Sequence, residues 1–209
     1  MPRYLSISHI TWNDFMLTCR PFFGNGETIL RISKCIFNQV NKNIYLAIKS
    51  DDIASIDINI SNCMFNSTFF TSVNTKARGI DSPQSEIPLV NYTIRYNKFI
   101  GKHVDAIVFI NVICRKSSSI LISNNEISNS LIAIFNASIY TPLVVSNNIF
   151  SDIDTCLLHG LVNNPVTIFE NNVFTNVKSL CCSTEDNVKL SRNNIFNNCG
   201  DWMMNYFHE

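Results

Sequence analysis

The chain has 209 residues, enough for one domain or one elongated array with a continuous apolar core. Its 16 Lys and Arg balance 16 Asp and Glu, so no global field draws it to nucleic acid or an anionic membrane. Phe and Ile are plentiful, Ala is scarce and Asn is frequent, a composition that suits strands and tight turns better than helices.

The opening residues, Met1-Pro-Arg-Tyr-Leu-Ser6, lack the apolar stretch of a signal peptide. No later run approaches the length of a transmembrane helix, so no membrane span is expected. Eight cysteines are scattered through the chain, mostly within apolar strand patterns. Buried free thiols fit that distribution better than a disulfide framework, and they favour a reducing, cytoplasmic setting. Glycosylation sequons begin at Asn59, Asn66, Asn91 and Asn136. In so Asn-rich a chain without a secretion signal they carry no weight.

From Ile7 onward one short phrase organises the sequence: an apolar residue, two mostly polar ones, an Asn or Cys, a spacer and a large apolar residue. The copies run Ile7–Trp12, Ile32–Phe37, Ile60–Phe65, Ile94–Phe99, Ile122–Ile127, Val145–Phe150, Phe169–Phe174 and Ser191–Phe196. Their closing residues are 25, 28, 34, 28, 23, 24 and 22 positions apart, the repeat length of a solenoid whose units bury their apolar faces by stacking. Ahead of the Asn or Cys, residues alternate apolar and polar, as in Leu30-Arg-Ile32-Ser33 and Tyr92-Thr-Ile94-Arg95, the mark of a strand with one buried face. After the large residue comes a polar pair, such as Asn38-Gln39 or Ser151-Asp152, and then a second apolar stretch such as Ala106–Ile110. No segment has the longer helical periodicity of a β–α unit.

The expected fold is therefore all-β: a right-handed parallel β-helix solenoid of about eight coils, forming a single domain over residues 1–209 or part of a longer array. Stacking turns each sequence column into a physical file. Trp12, Phe37, Phe65, Phe99, Ile127, Phe150, Phe174 and Phe196 become an internal apolar ladder. Asn97, Asn125, Asn148, Asn172 and Asn194 become an asparagine ladder at a sharp corner, where Asn tolerates left-handed backbone and its amide bonds to its neighbours. Cys35 and Cys63 hold the same column earlier in the chain.

The apolar-x-x-Asn-x-Phe phrase, with its Asn column, resembles the right-handed parallel β-helix, pectin-lyase-like superfamily over nearly the whole chain. That resemblance implies the fold and leaves the function open, because the architecture serves lyases, hydrolases, tailspikes, adhesins and non-catalytic repeat proteins. A leucine-rich repeat fits less well, because Leu is sparse and its spacing is not sustained.

Enzymes of the superfamily cluster carboxylates on adjacent coils, where charges shift one another or share an ion. Here the acids are scattered. Asp14 and Asp152 share a column far apart, while Asp51-Asp52 and Glu185-Asp186 belong to turns. Asp154 beside Lys178, and Glu170 beside Arg192, read as surface ion pairs. Cys156-x-x-His159 resembles half a zinc site, but no Cys-x-x-Cys accompanies it, and Cys156 is expected to face the core.

No catalytic residue, metal or cofactor is expected. The leading expectation is a non-catalytic scaffold for binding, adhesion or structure; the alternative is a polysaccharide lyase or glycoside hydrolase. Expected partners are a carbohydrate or a protein. The candidate binding loop is the polar excursion carrying Lys76, Arg78, Asp81, Gln84 and Glu86, which leaves the longest interval of the array. The apolar ends, with Trp202 and Phe207 in the last stretch, call either for end-to-end self-association or another partner, or for a minimal plug made by those side chains.

Overall fold

A computed structural model describes residues 3–13, 18–19, 26–38, 44–50, 53–66, 69–75, 88–112, 117–136, 142–159, 167–181 and 188–200. In chain order these form β1 (Arg3–Ser8), β2 (Thr11–Asn13), β3 (Thr18–Cys19), β4 (Gly26–Ser33), β5 (Ile36–Asn38) and β6 (Ile44–Ser50). There follow β7 (Ile53–Ser61), β8 (Met64–Phe65), β9 (Phe69–Thr75), β10 (Leu89–Arg95), β11 (Lys98–Val112), β12 (Ser119–Ser123) and β13 (Glu126–Asn136). The chain continues through β14 (Leu143–Ser146), β15 (Ile149–His159), β16 (Thr167–Glu170), β17 (Val173–Cys181), β18 (Val188–Arg192) and β19 (Ile195–Asn197).

Every pairing is parallel, and each strand pairs with its counterpart in the next repeat. The first sheet stacks eight strands in the order β1-β4-β7-β10-β12-β14-β16-β18. The second runs β2-β5-β8-β11-β13-β15-β17-β19, with β3, β6 and β9 joining it as a branch that meets β11. This is an all-β parallel solenoid of the right-handed type. The expected count of about eight coils is corrected to about four turns. The first sheet carries eight rungs, yet every return segment between rungs includes residues outside the described set, so no coil is described end to end.

Registration follows from the alternation in the sequence. Ile7, Ile32, Ile60, Ile94, Ile122, Val145, Phe169 and Ser191 occupy one file across the first sheet. The next inward file includes Leu30, Ile58 and Tyr92, all fully buried. A one-residue slip would turn all of these to solvent, so burial pins the register. On the second sheet Trp12, Phe37, Phe65 and Phe99 stack ring on ring at 4.9, 4.8 and 4.7 Å. Ile127 interrupts the pile, and Phe150, Phe174 and Phe196 resume it at 5.1 Å per step. Stacking at this spacing matches the strand separation of about 4.8 Å, so one period serves both backbone and rings.

Between the two sheets the chain turns through one residue of left-handed backbone. His9, Lys34, Asn62, Tyr96, Asn124, Asn147, Asn171 and Asn193 all have φ between 53° and 58°. The left-handed residue is thus the one before the column Asn, not the column Asn itself as the sequence suggested. The column residue keeps ordinary backbone and turns its side chain inward, while the residue ahead of it takes the conformational strain. Asn is tolerated there, but Lys34 and Tyr96 are not favoured types, so the stack over-determines the corner.

Two outcomes test this packing. Phe174→Ala, fully buried between two stacked rings, should cost about 3–5 kcal/mol in urea melts. Asn148→Ala should cost about 1–3 kcal/mol more than the exposed control Ser6→Ala, because it strips partners from the rungs on both sides. A melt like that of the control would place either side chain outside the core.

Candidate functional site

The corner between the sheets is built outward from its buried column. Asn97 donates both its backbone N–H, at 2.9 Å, and its Nδ2, at 3.1 Å, to Oδ1 of Asn125. Asn125 does the same to Asn148, Asn148 to Asn172, and Asn172 to Asn194. Each Nδ2 also donates backwards to a first-sheet carbonyl: Ile60, Ile94, Ile122, Val145 and Phe169 in turn. The last amide, Asn194, donates to Oγ of Ser191 at 2.7 Å. Ser191 stands in the file that other repeats fill with Ile, Val or Phe, and its hydroxyl supplies an acceptor from within the same rung.

Toward the other end the column changes chemistry. The Cys63 N–H donates to Oδ1 of Asn97 at 2.9 Å, and the Cys35 N–H donates to Sγ of Cys63 at 3.4 Å. The two thiols donate in turn to the carbonyls of Ser33 and Ser61 at 3.2 and 3.3 Å. Both are buried and outside any disulfide, as the sequence implied, and Cys156 is likewise a core cysteine without a disulfide. Burial pushes the Cys63 thiol up to about 12, so it is a packed hydrogen-bonding group and no nucleophile at neutral pH.

With the column turned in, the spacer after it turns out. Thr11, Ile36, Met64, Lys98, Glu126, Ile149, Val173 and Ile195 are partners in register on successive rungs. Ile36, Ile149 and Ile195 are 39, 48 and 62% exposed, a β-branched stripe facing solvent. In its middle Lys98 Nζ meets Glu126 Oε2 at 2.8 Å, with both side chains more than half exposed. Beside the stripe runs the file of left-handed corner residues, all exposed. Between the two files lies a shallow groove of about 640 Å³ crossing four rungs. Lys34, Ile36, Met64, Tyr96, Lys98 and Glu126 are among the side chains along it. Tyr96 is 55% exposed, with the Arg95 guanidinium 5.9 Å from its ring centre.

This surface offers charge, amides, an aromatic face and aliphatic ridges, and little reactive chemistry. Glu126 is the one carboxylate along the groove among the described residues, and it is neutralised by Lys98. No three His, Cys, Asp or Glu residues gather as a metal group among the described residues.

The ion pairs read from the columns are present: Lys178 Nζ lies 2.6 Å from Asp154, and Arg192 Nη2 lies 2.6 Å from Glu170. The candidate loop residues Lys76, Arg78, Asp81, Gln84 and Glu86 lie outside the described residues, as do Asp14, Asp51-Asp52, Glu185-Asp186, Trp202 and Phe207. The corner groove and the spacer stripe went unread in the sequence. Their signal was there, because reading the spacers down the repeats gives an aliphatic series broken by one Lys and one Glu.

Comparison with family models, with curated proteins and with solved structures finds no match. What is shown is a right-handed-type parallel β-solenoid, and no match assigns it to the pectin-lyase-like superfamily. No helix of the described residues is long and apolar enough to cross a membrane.

The thiol column predicts a pH effect. Above an ordinary thiol pKa of about 8.5 the unfolded chain releases the Cys63 proton, while the folded chain holds it until about 12. The folded state then binds more protons, so stability falls as pH rises through that window. Wild type should lose more stability than Cys63→Ser between roughly pH 8 and roughly pH 10 in urea titrations. Equal losses would mean that the thiol ionises freely in the fold.

Proposed function

We propose that this chain is a non-catalytic β-solenoid scaffold, holding a regularly spaced outward face along one corner for a macromolecular partner. The observation that carries this reading is the pairing of a continuous hydrogen-bonded column behind the corner with a chemically quiet surface in front of it. Asparagine amides run unbroken from Asn97 to Asn194 and form an asparagine ladder. A backbone held this way has few low-energy distortions, and rigid presentation lowers the ordering cost of binding. Tyr96, Lys98 and the corner amides supply the mixture of aromatic face, charge and hydrogen-bonding groups typical of recognition surfaces.

Most glycoside hydrolases use two carboxyl groups about 5–10 Å apart, one of them free to act as an acid. The groove offers one, held by a lysine. Purified protein should therefore release neither reducing ends nor unsaturated uronates from a panel of neutral and acidic polysaccharides. Turnover that disappears in Glu126→Gln would overturn the scaffold reading and establish the hydrolase or lyase in its place.

A further inference from the structure

The spacer stripe has an internal symmetry that points to its occupant. Its order along the axis is Thr11, Ile36, Met64, Lys98, then Glu126, Ile149, Val173, Ile195. Reversing the series exchanges Lys98 with Glu126 and puts Met64 in the place of Ile149, Ile36 of Val173 and Thr11 of Ile195. Apolar positions map onto apolar ones, apart from the terminal Thr11, and each charge maps onto its opposite. From this we propose that the stripe is a two-fold interface in which a second copy of the chain packs antiparallel, with the axis passing between the Lys98 and Glu126 rungs. The inference rests on the scaffold reading and names the partner of the same face.

Antiparallel packing is selected by charge. In the two-fold arrangement Lys98 of each copy faces Glu126 of the other, and with the internal pair at 2.8 Å the four groups alternate in sign. Parallel packing would set Lys98 on Lys98 and Glu126 on Glu126, which repels. Both copies have the same rung spacing, so matching one pair brings the others into register.

The bordering files raise no objection. The corner file carries Lys34 as its only fully charged group, and the two-fold sets Lys34 opposite Asn171. The polar file on the other side contains Asn13, Asn38, Asn66, Ile100, Ser128, Ser151, Thr175 and Asn197, with no charge at all. Shape agrees with charge. The groove crosses the rungs of Ile36 to Glu126, and the exposed ridge of Ile149 belongs to the half of the partner that faces it.

Eight rungs at ~4.8 Å and three files of alternate residues ~6.6 Å apart give a patch of about 34 by 13 Å, or ~440 Å² per copy. A standard interface covers about 800 Å² per partner, so the dimer is weak and reversible. A contact that closes on itself stops at two chains, unlike end-on stacking.

Sedimentation equilibrium or light scattering over micromolar to millimolar protein tests this directly. The average mass should climb from one chain toward two. Lys98→Glu and Glu126→Lys, each exposed and outside the core, should each weaken association by about tenfold or more. An equimolar mixture of the two variants should recover association, because every facing pair is then opposite in sign. Ile149→Asp should weaken it as well, and far-UV circular dichroism of each variant should match wild type.

A constant mass of one chain would overturn the proposal and leave the face to a different partner. So would masses climbing past two chains, or a dimer indifferent to both charge reversals. These readings are masses, independent of polysaccharide turnover, so the interface and the non-catalytic reading can fail separately.

Discussion

An amide buried in the corner of a stacked sheet must find all its partners in protein, because no water reaches it and an unpaired polar group there costs about 1–3 kcal/mol. The column from Asn97 to Asn194 meets this demand in one way only. From Asn125 to Asn194 each Oδ1 receives the backbone and side-chain N–H of one neighbour, and from Asn97 to Asn172 each Nδ2 reaches both the next rung and a carbonyl of the sheet behind. The bonds run in a single direction, so each rung depends on the geometry of the next. That dependence ties the two sheets together at the angle of the corner. It also holds Lys34 and Tyr96 in left-handed backbone that neither residue would choose alone.

A directional column needs a beginning and an end. Cys63 Sγ accepts the backbone N–H of Cys35, where each later column oxygen from Asn125 on accepts a side-chain amide as well; the Cys63 N–H enters the column at Asn97, and the smaller thiols of Cys35 and Cys63 fill the corner with carbonyl bonds of their own. At the far side Ser191 gives the last amide an acceptor within its own rung. The residue that looks least apolar in the repeat phrase is the one that satisfies the final donor. Departures from the repeat are thus part of the same hydrogen-bond accounting as the repeat itself.

The same period governs the outside. Because the column and the ring stack fix the backbone at each rung, the spacers fall into a straight file whatever their chemistry. Selection on that file is then free of the core. The exposed Ile149 and Ile195 contribute nothing to the interior, and the exposed Lys98–Glu126 pair is worth little as a surface ion pair. A solenoid separates folding from recognition more cleanly than a globular domain does, since inward and outward positions alternate along every strand.

The repeat phrase by itself determined the class of fold, the strand alternation, the aromatic file, the stacking of the asparagines, the burial of Cys35, Cys63 and Cys156, and the ion pairs at Asp154 and Glu170. All of these follow from periodicity, since stacking in register converts a column of letters into neighbours in space. The position of the left-handed residue was misjudged by one place, because Asn occupies two adjacent positions and composition does not say which of them bends. The direction of the amide bonds, the role of Ser191 and the groove beside Tyr96 were decided only by the tertiary structure. Each depends on which way a side chain turns at a corner, where two sheets meet and the strict alternation of a strand no longer applies.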